Sequence, residues 1–203
     1  MQRAPLIVGI SGASGAVLGV RMLEVLRTTD VEVHLVMSKA AELTLSLETD
    51  LKRDQLRSLA HTTYNITDVA AAISSGSFPT MGMVVIPCSI RTMSEIASGV
   101  TSNLLTRAAD VVLKERRRLV LVVRETPLHT LHLRTMASLS EAGAIIAPPV
   151  PGFYARPKSV DDIVMHTVGR VLDLFGIEAG VVKRWQGAQA VRSAPTSPGE
   201  EPK

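Results

Sequence analysis

Short runs of consecutive apolar residues recur along the chain, separated by longer segments whose apolar residues return with helical spacing. The short runs are rich in valine and isoleucine and lack in-and-out alternation, which is typical of strands buried on both faces of a sheet. The predicted strands are Leu6–Ile10, Glu32–Ser38, Met83–Ser89, Leu119–Arg124 and Gly143–Pro148. The predicted helices are Ala16–Thr28, Lys39–Leu47, Thr92–Ser98, Asn103–Arg117, His129–Glu141 and Val160–Phe175. This alternation predicts an α/β fold with a doubly wound parallel sheet.

The composition fits one domain of ordinary size. The chain has 203 residues, of which 46% are hydrophobic and 20% charged, and this excludes disordered and fibrous classes. We expect residues 1–185 to form a single domain and residues 186–203, of which 193–203 are rich in Pro, Ser and Glu, to be a disordered extension. The only cysteine is Cys88, which excludes an internal disulfide and favours a reducing, cytoplasmic location. We expect no membrane insertion, because no apolar run approaches the ~18 residues of a spanning helix.

The charge balance narrows the class of partner. A formal net charge of +3 suits an anionic small molecule. Nucleic acid is not expected, because no basic patch is interleaved with aromatic residues. The histidines lack metal-ligand spacing, so we predict no metal site, and Cys88 is interpreted as a small buried hydrophobe.

The first loop has glycine spacing that suits a ligand. In a doubly wound sheet, ligands bind beyond the carboxyl ends of the strands. Glycines at 9, 12 and 15 let the backbone approach a ligand, and the following helix N-terminus favours a phosphate or another electron-rich group. A tight strand–helix turn explains the same spacing. Ser38 and Lys39 follow the second strand, where an NAD site needs Asp or Glu, so flavin mononucleotide (FMN) is favoured over NAD.

Two further strand ends carry polar residues. Ser89 and Thr92 lie at a predicted helix N-terminus, where hydroxyls and N–H groups suit phosphate oxygens, although ordinary N-capping also accounts for Ser89. Arg124 and Glu125 place a cation and a carboxylate after a strand that is built for burial. A structural ion pair is the alternative interpretation of that pair.

Other candidate residues lie on a helix and in a late loop. Arg107 and Lys114 are two turns apart on one helix face, so both could point at one anion. Most of residues 114–118 is interpreted as a solvated helix end, of which one member could turn inward. Phe153 and Tyr154 adjoin each other in a proline-rich loop, where they could contact a ring and a phosphate or simply pack the loop.

Taken together, these segments resemble the flavin prenyltransferase family, the UbiX-type enzymes that are also known as a component of phenolic-acid decarboxylases. The matching strings span almost everything from residue 5 to 185, in order, so the resemblance is specific. They are GASGA at 12–16, SKAA at 38–41, Glu48-Thr49-Asp50, SGSF at 75–78, MVVIPCS at 83–89, NLLTRAADVVLKERR at 103–117, LVLVVRETPL at 119–128 and PGFYARP at 151–157.

The resemblance implies a Rossmann-like or flavodoxin-like flavoprotein fold and a metal-independent transferase. Reduced FMN, as a substrate, is alkylated at N5 by dimethylallyl monophosphate and then closed at C6 into a fourth ring. The product, prenylated FMN, serves UbiD-type decarboxylases. The resemblance also implies a large homo-oligomer, a dodecamer, with active sites at subunit interfaces.

The resemblance also assigns roles to particular residues. The expected FMN contacts are Gly12, Ala13, Ser14, Ser38, Ser89, Thr92, Arg107 and Arg124. The expected contacts to the prenyl phosphate are Lys114, Arg124, Tyr154 and Arg170. Glu125 is the candidate for proton transfer to the departing phosphate, and Glu48 and Ser14 for the flavin protons.

One departure and two alternatives remain. Members of the family can carry a tryptophan just before the alanine-rich loop, where this chain has no aromatic residue near Val69, so the prenyl pocket is expected to be roomier and the exact prenyl donor is left open. A flavin-dependent peptidyl or pantothenoyl cysteine decarboxylase would need a catalytic histidine after the first strand and a Pro-x-Met-Asn segment, and neither is evident. A non-catalytic carrier of FMN or prenylated FMN is argued against by the presence of Glu48, Glu125 and Lys114.

Overall fold

The fold is built on one parallel sheet of six strands in the order β3-β2-β1-β4-β5-β6. It is taken from a computed structural model that describes residues 4–182, 184, 185 and 187. The strands are β1 (Leu6–Ile10), β2 (Val33–Met37), β3 (Thr62–Tyr64), β4 (Gly82–Cys88), β5 (Arg118–Val123) and β6 (Ile145–Ile146). The strand order reverses between β1 and β4, so the predicted doubly wound fold is confirmed.

Seven α-helices connect and flank the strands in the described part of the chain. They are α1 (Ala16–Leu26), α2 (Lys39–Glu48), α3 (Arg53–Arg57), α4 (Ile90–Ala97), α5 (Leu104–Lys114), α6 (Thr130–Glu141) and α7 (Val160–Asp173), with short 3₁₀ helices at Ala72–Ser74 and Phe153–Ala155. Side chains that accept hydrogen bonds from the first turn start most of them, namely Ser38, Ser89, Asn103, His129 and Ser159.

The sheet is covered on both faces, which explains why its central strands are apolar at every position. Alternate residues of a strand point to opposite faces. In β1, Leu6 and Val8 face a core that includes α1 and α7, whereas Ile7 faces a second core that includes α4, α5 and α6. The thiol of Cys88 is buried at the end of β4, and burial raises its pKa to about 12, which agrees with its interpretation as a small hydrophobe.

Apart from shifts of one or two residues at many element ends, the structure differs from the predicted elements in four places. The edge strand β3 was not predicted, because its residues Thr62, Thr63 and Tyr64 carry hydroxyl groups and form no apolar run. The helix α3 was not predicted, because its five residues are too few to show helical spacing. The last strand pairs only at Ile145–Ile146 rather than across the whole predicted run. Helix α5 ends at Lys114, since Arg116 adopts a left-handed φ of 55° that no helix can continue through.

Two further predictions were a disordered extension at residues 186–203 and the absence of a membrane-spanning helix. The predicted extension 186–203 lies outside the described residues except for residue 187. Across the described ranges, no helix combines the length and the apolarity needed to cross a membrane.

Candidate active site

The carboxyl ends of the central strands meet at one edge of the sheet. The backbone N–H of Ser38 donates to the Ile10 carbonyl at 3.0 Å, which joins the end of β2 to the end of β1. The backbone N–H of Arg124 donates to the Cys88 carbonyl at 3.0 Å, which joins the end of β5 to the end of β4. Ser89 follows Cys88, so the predicted residues at these strand ends lie side by side.

A buried serine ties the first loop to the end of β4. The Ser11 hydroxyl donates to the Pro87 carbonyl at 3.0 Å and accepts from the Ser89 N–H at 2.7 Å. Ser11 is only 1% exposed. It therefore fixes the distance between the glycine loop and the start of α4, a role that sequence reasoning did not assign to it.

The N-terminus of α4 begins with a capping serine that follows the strand end bonded to the Arg124 backbone. The Ser89 hydroxyl accepts from the Thr92 N–H at 3.3 Å and donates to the Thr92 hydroxyl at 3.1 Å, so the N-capping interpretation of Ser89 holds. The first N–H groups of a helix have no partner within the helix. A helix start with free N–H groups favours a phosphate.

The N-terminus of α1 is occupied by a carboxylate of the protein itself. One oxygen of Glu48, at the end of α2, accepts from the N–H groups of Gly15 and Ala16, each at 2.8 Å. The electron-rich group expected at this helix start is therefore Glu48, and a phosphate of the ligand has no place there. The N-terminus of α4 is therefore a candidate position for a phosphate at this edge.

Glu48 is held in its ionised form by its neighbours. Burial tends to raise the pKa of Glu48, but hydrogen bonds from the Ser14 side chain and from the Ala16 and Gly15 N–H groups, with the charge of Arg124, hold it below its ordinary value of 4.5. The side chains of Ser14, Glu48 and Arg124, which are far apart in sequence, therefore act on one another at this edge.

The rest of the first loop lies against the start of α2. Gly12 contacts Ala40 so closely that a Cβ at position 12 would overlap the Ala40 side chain. The Ser38 hydroxyl accepts from the Ala41 N–H at 3.1 Å, which begins α2 beside this loop. Ala13, between Gly12 and Ser14, is 8% exposed. The glycine at position 12 is needed for this close approach.

Glu125 is exposed beside Arg124, and its carboxylate accepts only from the Thr126 N–H, at 3.0 Å, among the described residues. Together with the loops above it completes a group that we call the carboxyl-edge cluster. Its members are Gly12, Ala13, Ser14, Ser38, Glu48, Ser89, Thr92, Arg124 and Glu125.

The two predicted cations of α5 are both paired with neighbours in their own chain. The Nε of Arg107 donates to the Ser74 carbonyl at 3.2 Å, and its Nη1 pairs with Asp110 at 2.8 Å. Lys114 pairs with Glu115 at the end of α5, next to the residues that enter β5. Because β5 has six residues, roughly 20 Å of strand separates that end from Arg124. One chain does not bring Lys114 to the carboxyl-edge cluster.

Tyr154 and Arg170 line a separate pocket of about 710 Å³. The Tyr154 hydroxyl lies 3.0 Å from Nε2 of His166, and the Trp185 ring packs edge-on against Tyr154 at 5.7 Å between centroids. Arg170 pairs with Asp173 at 2.6 Å. The pocket therefore combines aromatic walls with cations, as an apolar chain bearing a phosphate would require. Sequence reasoning did not single out His166 or Trp185, although Trp185 is the only tryptophan.

Comparison with known proteins identifies the family to which this chain belongs. The family model described as Flavoprotein matches residues 1–172, which defines the class of protein. The flavin prenyltransferase UbiX of Escherichia coli K12 is 62% identical over 186 residues, covering 90% of this chain and 98% of the relative. The chain belongs to the flavin prenyltransferase family, so the predicted resemblance is confirmed.

Solved structures show the same fold. AnUbiX in complex with FMN and dimethylallyl pyrophosphate superposes with a TM-score of 0.90 at 51% identity, covering 91% of this chain and 98% of that one. The dodecameric FMN-dependent UbiX-like decarboxylase of Escherichia coli O157:H7 has a TM-score of 0.89 at 54% identity, with coverages of 90% and 100%. The FMN-dependent cysteine decarboxylase SpaF is only 17% identical and shares the fold alone, so the cysteine decarboxylase alternative is not favoured.

Proposed function

We propose that this chain transfers a dimethylallyl group from dimethylallyl monophosphate to N5 and C6 of reduced FMN, forming prenylated FMN. The observation that carries the proposal is the carboxyl-edge cluster, in which Ser14 and Arg124 help to keep Glu48 ionised and the Arg124 backbone joins the strand end from which α4 begins. Reduced FMN supplies the nucleophilic ring atoms in this reaction. The residues of the chain bind, orient and exchange protons.

The cluster fits the phosphate of FMN at α4. We expect the N–H groups of that N-terminus, the Thr92 hydroxyl and the Arg124 guanidinium to bind this phosphate together, since the Arg124 backbone joins the end of β4. Gly12 has no side chain, so the first loop can lie close to a planar ring. Because Glu48 occupies the start of α1, the ring rather than the phosphate is expected beside Ser14.

We assign the proton transfers at the flavin to Ser14 and Glu48. The lowered pKa of Glu48 keeps its carboxylate ionised at neutral pH, so the carboxylate can accept a hydrogen bond from the Ser14 hydroxyl and orient it toward the flavin. Glu125 makes no ion pair among the described residues and stands at the outer side of the cluster. We assign it the proton that the departing phosphate takes up.

Lys114, Tyr154 and Arg170 must come from other copies of the chain if they bind the prenyl phosphate at this cluster. Lys114 is separated from Arg124 by the length of β5, and Tyr154 and Arg170 line a pocket of their own. We therefore propose a homo-oligomer, a dodecamer like that of the E. coli O157:H7 relative. Exposed apolar side chains support association. They include Leu43, Leu47, Leu131, Leu133, Val150 and Phe153.

The product is proposed to serve a UbiD-type decarboxylase. Prenylated FMN is a modified cofactor, and an enzyme that makes it needs an acceptor protein to use it. We propose a reducing, cytoplasmic setting for this supply, which is supported by a chain whose only cysteine is buried and unpaired.

Anaerobic incubation with reduced FMN and dimethylallyl monophosphate, followed by mass analysis of the flavin, tests the proposal. We expect prenylated flavin in molar excess over the protein. A parallel incubation with the diphosphate determines which donor is used. A non-catalytic carrier would bind FMN and yield no prenylated flavin, and that result would overturn the proposal.

A further inference from the structure

The run of basic residues that ends α5 contains one arginine that turns inward. The Arg117 guanidinium donates from Nη2 to the Gly76 carbonyl at 2.6 Å and from Nη1 to the Phe78 carbonyl at 2.7 Å. Nη1 also lies 3.4 Å from the Thr80 hydroxyl. One side chain therefore contacts three residues of the segment between the 3₁₀ helix at Ala72–Ser74 and β4 and holds that segment in place.

The neighbouring arginines do not share this role. Arg116 is exposed and makes no side-chain hydrogen bond to the described residues. Arg118 is exposed and lies over the Phe175 ring at 5.9 Å. Of these three consecutive arginines, Arg117 alone holds backbone carbonyls of the segment before β4.

The segment that Arg117 holds, residues 75–78, lies directly against Lys114. A Cβ built on Gly76 would come within 2.7 Å of the Lys114 ammonium and would also overlap the Glu115 carboxylate. The backbone at Gly76 thus forms one side of the site in which the Lys114–Glu115 ion pair sits. At its other end the segment is held by Arg107, which donates to the Ser74 carbonyl at 3.2 Å.

We propose that Arg117 is a positioning residue for Lys114, acting through the backbone of the segment at 75–78. The inference rests on the proposed function in one respect, namely that Lys114 binds the prenyl phosphate. A lysine ammonium is a point charge on a flexible stem, so its position depends on what its stem and its partner pack against. The planar guanidinium of Arg117 donates hydrogen bonds to two carbonyls at once, and a lysine ammonium at position 117 cannot reproduce that geometry.

The matched variants are Arg117→Lys and Arg116→Lys, which preserve charge and remove only a guanidinium. We expect Arg117→Lys to raise the KM for dimethylallyl monophosphate about tenfold, the loss of roughly one charge-assisted contact. The kcat and the Kd for FMN should change less than about twofold. Arg116→Lys should leave all three values unchanged. Equal KM values for the two variants, or a loss of FMN affinity instead, would overturn the inference.

A double variant tests whether Arg117 acts through Lys114. In a Lys114→Ala background, Arg117→Lys should have no further effect on the KM, because the group that it positions is gone. A full tenfold effect in that background would refute the coupling. If Arg117→Lys does not fold, Gly76→Ala perturbs the same ion pair from the other side and carries the same expectation.

A binding measurement separates failure of the positioning role from failure of the proposed function. The Kd of dimethylallyl monophosphate for the complex with oxidised FMN, measured by calorimetry, does not depend on turnover. If wild type binds this ligand and Arg117→Lys weakens the binding, the positioning role stands even where no prenylated flavin forms. If wild type and Arg117→Lys bind it equally, the positioning role is refuted whatever the turnover.

Discussion

Glu48→Gln is expected to destabilise the protein modestly at neutral pH and to abolish most of its activity. The Glu48 carboxylate accepts from Gly15 and Ala16 at 2.8 Å each and from the Ser14 side chain, and its charge lies at the N-terminus of α1. A buried hydrogen bond to a charged group contributes about 1.5–3 kcal/mol. Because Glu48 is largely exposed and glutamine keeps one acceptor oxygen, we expect a net loss of only about 1 kcal/mol.

The pH dependence follows from the direction of the pKa shift. Burial raises the pKa of Glu48, but the hydrogen bonds to its carboxylate and the charge of Arg124 lower it further, so the folded-state pKa lies below 4.5. The extra stability of wild type is therefore fully present above about pH 4.5 and is lost as the pH falls through the folded-state pKa. The difference in stability between wild type and Glu48→Gln should shrink below that pH.

Thermal unfolding of the two proteins at pH 7 and in acid measures this difference. A loss of about 1 kcal/mol corresponds to a Tm lower by about 2–4 °C at pH 7. Glu141→Gln is the matched control, since the Glu141 carboxylate makes no hydrogen bond among the described residues, and its Tm should equal that of wild type. Equal Tm values for wild type and Glu48→Gln at pH 7, or a difference that persists in acid, would refute the reasoning.

Three further outcomes are expected. Glu125→Gln should bind FMN nearly as wild type does and lose most prenylation, and more than about a tenth of wild-type turnover would exclude Glu125 as the acid. Lys114→Ala should raise the KM for dimethylallyl monophosphate about ten- to a hundredfold with little effect on FMN, whereas the reverse pattern would mean that its role and that of Arg107 are interchanged. Sedimentation should find an oligomer, and a fully active monomer would exclude the composite site.

Much of the fold could be predicted from the sequence because the central strands are buried on both faces. Runs such as Leu6–Ile10 and Leu119–Val123 are apolar at every position, and the strands follow them. The edge strand β3 carries no such signal, since one of its sides lacks a neighbouring strand and its residues are partly polar. Short-range patterns identify strands that pack on two layers and miss those that do not.

The site was predictable at the strand ends and not beyond them. Ser38, Ser89 and Arg124 follow apolar runs, so their place at one edge is implied by a parallel sheet. That Glu48 would reach the start of α1 depends on how α2 packs, which no local pattern specifies. The same holds for Arg117, whose sequence neighbours are also arginines and whose inward turn depends on the left-handed backbone at Arg116.

The central claim is that FMN is prenylated at a site that is assembled from different copies of the chain. Mixed oligomers of Glu125→Gln and Lys114→Ala test it most directly, since a site that takes Glu125 from one copy and Lys114 from another can be intact. We predict that co-assembled variants form prenylated FMN at a rate well above the sum of the two variants assayed apart. A mixture that is shown to co-assemble and is no more active than that sum would contradict the account.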